Sequence, residues 1–142
     1  MNLSNRILKI AAVYFMGGAM LGLIMGMTQD FREVPVHAHL NLLGWASLAL
    51  IGLLYRVHPA LAETGLAKAH FWLHNLGMPV AMAGLFFALR GDSRAMPVVG
   101  IGSVTIVIGI ACFVANVMRS LPREQRAETM AATTAGNLPR RV

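Results

Sequence analysis

Cysteine is nearly missing. Of 142 residues only Cys112 is one, so no disulfide can close within the chain. It reads as a small apolar filler. Charge is scarce too: Asp, Glu, Lys and Arg together make 13%, about half of the roughly 25% typical of a soluble domain. That excludes an ordinary water-soluble globule. There is no repeat between the two halves. Outside four apolar stretches, only short loops and a polar tail remain.

What is present is long runs of apolar residues. The composition is 56% hydrophobic and the mean hydropathy is +0.61. A bilayer span needs about 20 mostly apolar residues. Four such stretches fit, near 7–28, 36–56, 68–89 and 96–118. The fold expected is an all-α membrane domain over residues 1–118. A basic tail follows over 119–142, disordered from Ala131 onward. The first stretch is too long for a signal-peptide core and has no clean cleavage site, so it reads as a retained span.

The net charge is +6, and its distribution explains it. Arg6, Lys9, Arg56, Lys68, Arg119, Arg123, Arg126, Arg140 and Arg141 fall in the N-terminal tail, the second loop and the C-terminal tail. Only Arg32, Arg90 and Arg94 fall in the first and third loops. Positive residues favour the cytoplasmic side. Both termini are therefore expected to be cytoplasmic, in a bacterial-type inner membrane. The basic tail reads as a topology and lipid-headgroup signal, and nucleic acid is not an expected partner.

Ionisable residues inside membrane spans are costly and point to function. Span 2 opens with two: Val36-His37-Ala38-His39-Leu40-Asn41-Leu42-Leu43-Gly44-Trp45. At about 100° per residue, positions i and i+2 point roughly 200° apart. His37 and His39 therefore serve different neighbours. His37 shares a face with Asn41 and Gly44; His39 shares one with Leu42, Leu43 and Ala46. The simpler alternative is two interfacial histidines bonded to water and headgroups.

Span 3 carries His70 and His74 at i, i+4, a spacing that can chelate a metal. His58 can join from the loop, and Met78 and Met82 add soft donors suited to copper(I). The alternative is an interfacial His70 and a His74 bonded to a neighbouring helix. At 1.5 Å per residue, His39 and His74 are expected to differ in height by roughly 15 Å. Span 1 carries Gly18, Gly22 and Gly26 at four-residue spacing, a small-residue face for close helix packing. Pro79 removes a backbone donor inside span 3 and is expected to kink it.

His37-Ala38-His39, Gly44-Trp45 and Gly52-Leu53-Leu54-Tyr55-Arg56 together resemble the tenth helix of heme-copper oxidase subunit I, most closely its cbb3-type branch. His70-Phe71-Trp72-Leu73 and Gly77 resemble the start of the eleventh helix. The resemblance covers roughly residues 34–89. It implies heme b, with His37 and His39 as iron ligands on two sides of one helix. It gives no role to His74. The family's copper ligands and second low-spin heme ligand lie on helices this chain lacks, and Tyr14 and Tyr55 are its only tyrosines. The family's twelve-helix fold has approximate three-fold symmetry, so one four-helix chain matches one arc. A homotrimer is thus the favoured assembly, with a dimer as the alternative.

The resulting expectation is a heme-b membrane protein for electron transfer or O2/NO binding. Asn41 and Trp45 would support the heme edge, and Arg32 and Arg94 would face its propionates. Two alternatives stand beside it. One is a non-catalytic accessory or assembly subunit of a larger respiratory oxidase, docked through the glycine face. The other is a copper-binding membrane protein using His58, His70 and His74.

Overall fold

The computed structural model describes residues 2–136, and all four expected spans are helical in it. Helix α1 covers Leu3–Thr28. Asn2 starts it by accepting a bond from the Ser4 amide, and Gln29 ends it in the left-handed conformation with φ 53°. Span 2 is Val34–Val57. It begins as α2 (Val34–His39), with Pro35 in the first turn as expected, and ends as α3 (Leu48–Val57). A short α4 (Pro59–Ala62) leads to α5 (Gly65–Leu89). The Thr64 hydroxyl caps α5 by accepting from the Ala67 amide at 3.0 Å, so this helix starts ahead of Lys68. Helix α5 runs unbroken through Pro79.

Gly91 makes the turn after α5 with φ +98°, a conformation open to glycine. A short 3-10 turn, Ser93–Ala95, then leads into α6 (Met96–Gly136). Here the structure departs from expectation: α6 continues as helix through Ala131–Gly136, where a disordered tail was expected. The remainder of that tail, 137–142, lies outside the described residues. Among the described residues there is no strand. Four helices long and apolar enough to span a bilayer make this a multi-pass membrane protein.

Span 2 is not one uniform helix. Between α2 and α3, Leu40–Ser47 is wound as a π-helix. The Ser47 hydroxyl donates to the Leu42 carbonyl at 2.8 Å, five residues back. Such wide turns are rare and often mark functional sites. This one begins immediately after His39.

The spans pair as two hairpins, α1 with span 2 and α5 with α6. Two apolar clusters join the hairpins. At the end bearing α4, which we call the lower end, Ile7, Leu48, Tyr55, Leu61 and Phe71 pack together. Towards the other, upper end, Val36 packs with Met78, Ala81, Met82 and Ile106. The α5–α6 pair is close enough for backbones to touch. A Cβ on Gly102 would lie 2.7 Å from the Ala81 Cα, and one on Gly77 would lie 2.9 Å from the Gly102 carbonyl oxygen. Span 2 and α6 stay further apart, leaving an apolar cleft between the hairpins.

Candidate functional site: the histidine pair and the cleft beside it

His37 and His39 part company as the 200° rotation requires. His37 turns towards α1. Its Nδ1–H donates to the Gly18 carbonyl at 2.9 Å, and its ring fills the notch at Gly22, where a Cβ would meet Cε1 at 2.8 Å. Asn41, one turn on, fills the notch at Gly18 and donates to the His37 carbonyl at 2.8 Å. Gly44 faces Tyr14 of α1. The face expected to hold His37, Asn41 and Gly44 is therefore observed, and it is the packing face against α1. The glycine stripe is used within the chain at Gly18 and Gly22, while Gly26 has nothing near it.

His39 points away from this interface and is exposed. Its Nδ1–H donates to the Pro35 carbonyl at 2.7 Å. That bond settles the tautomer, because a carbonyl can only accept. Nε2 is left with its lone pair. An imidazole held by a backbone carbonyl through one nitrogen is the arrangement used by metal-ligating histidines. His39 also lines the upper part of the cleft, a hollow of about 340 Å³ with walls from Leu43, Met82, Ile106 and Ile110. The lower part, about 450 Å³, is walled by Ser47, Ile51, Leu54, His74, Ile110 and Phe113.

The other expected site residues are placed as follows. Trp45 stacks on Phe15 of α1, ring centres 4.4 Å apart. Arg32 is engaged by Asp30 in the first loop, through Nε–H to Oδ1 at 2.9 Å and through its terminal nitrogen. This pairing holds the partly exposed Asp30 carboxyl down at about 2 and raises Arg32 further. Arg94 is exposed beyond α5. The arginine tied to the start of span 2 is instead Arg90. Its Nε–H donates to Glu33 at 2.9 Å, and its guanidinium lies 4.0 Å from the Phe86 ring centre. Glu33 is buried, with its second oxygen unpartnered. The sequence cue was there: a lone Glu and an Arg at the same end of adjacent spans.

His70 and His74 do come together, ring centres 5.3 Å apart, and both are fully buried. His58 caps the lower end of span 2 instead. Among the described residues, no three His, Cys, Asp or Glu side chains converge on a metal position. The expected depth difference is corrected. His74 Nε2–H donates to the Leu43 carbonyl at 3.2 Å. Leu43 is four residues below His39, a height difference of roughly 6 Å. The reason is that α5 begins at Gly65, which lifts His74 towards mid-span.

Sequence reading missed a buried polar knot at the lower end. Asn116 of α6 is fully buried and donates to the Leu61 carbonyl at 3.0 Å and to the Tyr55 hydroxyl at 3.4 Å. It accepts from Thr64 at 2.8 Å and from Ser120 at 3.2 Å. An amide in an otherwise apolar span was the available signal, since burying one without partners is costly.

Comparison with protein-family models, curated proteins and solved structures finds no match to this chain.

Proposed function

We propose that this is a heme-b-binding protein of a bacterial-type inner membrane, related to heme-copper oxidase subunit I, with His39 as an axial ligand. One observation carries the reading: an exposed histidine whose Nδ1–H is bonded to Pro35, with Nε2 free beside an apolar cleft. The donor set fits. Leu43, Met82, Ile106 and Ile110 offer apolar walls to a porphyrin face, and the π-helical turn after His39 fixes the register below it.

A bound b-type heme supplies one-electron chemistry, and gas binding where one axial position is open. The chain's own residues have narrower tasks. Pro35 holds the His39 ring and its tautomer. Asn41 and Gly18 hold His37 on the opposite side of the helix. His37 is the second proposed ligand, with Asn41 beside it and Trp45 further along the same span, against Phe15. A ligand histidine left on the outer surface of one chain favours an oligomer, because a second copy would cover it. The trimer is the proposed assembly.

The test is the visible spectrum of the full chain, purified in mild detergent after expression with heme precursor. A sharp reduced α-band of b type is expected. A colourless preparation would refute the reading.

A further inference from the structure

His70 and His74 share one face of α5 and are walled off from bulk solvent. Both ring nitrogens of His70 and Nδ1 of His74 have no hydrogen-bond partner. Buried polar atoms in proteins are nearly always satisfied, so three orphan nitrogens on two neighbouring rings ask for an occupant. The tautomer of His74 is settled: Nε2–H donates to Leu43, so Nδ1 carries a lone pair. Each neutral imidazole thus carries one lone pair with no hydrogen-bond partner.

With metal–imidazole bonds of about 2 Å, two ligating rings have centres roughly 5–6 Å apart. The observed 5.3 Å falls in that range. One turn further along α5 the same face carries Met78, which is fully buried. Charge decides among metals. Among the described residues no carboxylate or thiolate joins these imidazoles. A divalent ion here would keep its whole charge in an apolar interior. A zinc site also wants four donors. Thioether and imidazole donors in small number suit singly charged copper(I). His74 lines the lower cleft, which gives an ion a way in.

We propose that His70 and His74 form an intramembrane site for a single copper(I) ion, with the Met78 thioether as the neighbouring soft donor. The site is distinct from the His37–His39 pair and does not depend on heme. His58, the third ligand expected from sequence, is not part of it.

The test is competition for copper(I) between the full chain in detergent, under ascorbate, and a chromogenic copper(I) chelator. One copper per chain is expected, with an X-ray absorption edge of copper(I) and two nitrogen neighbours at about 2 Å. His74→Gln, which keeps an amide donor for Leu43, should weaken retention at least tenfold. His37→Ala/His39→Ala should leave retention unchanged while removing the heme band, so the two readings fail separately. No copper retained by the unaltered chain, retention unaffected by His74→Gln, or displacement by equimolar zinc overturns the proposal.

Discussion

At the scale of single residues, burial and hydrogen-bond partners decide which side chains are structural. Asn116 ties α6 to Tyr55, to the carbonyl of Leu61 and to Thr64. Asn116→Ala strands those groups in an apolar interior. Each buried group left unpaired costs about 1–3 kcal/mol. A clear drop in the detergent melting temperature is expected, and an unchanged midpoint would contradict the tie. Asp30 gives a pH prediction. Its bond to Arg32 holds its pKa at about 2, against roughly 3.9 for a free side chain. A depressed carboxylate contributes above its free value, and that contribution is lost as pH falls through about 2. A carbon-detected titration of the Asp30 carboxyl should therefore have its midpoint near 2, returning towards 4 in Arg32→Gln. A midpoint near 4 in the unaltered chain would contradict the pairing. At this scale the sequence was legible where rotation alone decides. The opposite aims of His37 and His39 follow from their spacing; the sequence also places an Arg near Glu33, but that it is Arg90 and not Arg94 depends on the turn at Gly91.

At the scale of elements, the helices follow from length and apolarity, and their close approaches follow from glycine. Gly102 meets the Ala81 backbone, whereas Gly100 has nothing within 4 Å. Gly102→Ala should therefore push α5 and α6 apart, at an overpacking cost of about 1–3 kcal/mol. Gly100→Ala should be neutral or gain about 0.4–1 kcal/mol through the unfolded chain. Thermal denaturation of the two variants side by side checks this; equal midpoints would contradict the packing. The four spans were readable because twenty apolar residues have few other fates. The π-helical turn was not. No proline marks Leu40–Ser47, and its wider winding answers to packing of Gly44 on Tyr14 and to the Ser47–Leu42 bond. The height of His74 differs from the expected one for a related reason: the Thr64 cap starts α5 three residues before Lys68.

At the scale of the whole molecule, two helical hairpins meet along shared clusters at both ends and leave a cleft between span 2 and α6. Large apolar side chains such as Val13, Met16, Leu50, Val104 and Val107 face outward, as suits a chain solvated by lipid. A thin bundle of this kind has little closed interior, so the heme we propose would have to sit in the open cleft beside His39 or between copies. The mass of the detergent complex should correspond to three chains; a monomer that retains full heme would contradict the proposed assembly. The most direct test is the reduced-minus-oxidised spectrum of the unaltered chain beside His39→Ala, at matched protein concentration. With His39 as axial ligand, the b-type α-band should be lost or replaced by a high-spin spectrum in His39→Ala. An unchanged α-band in that variant would contradict the assignment.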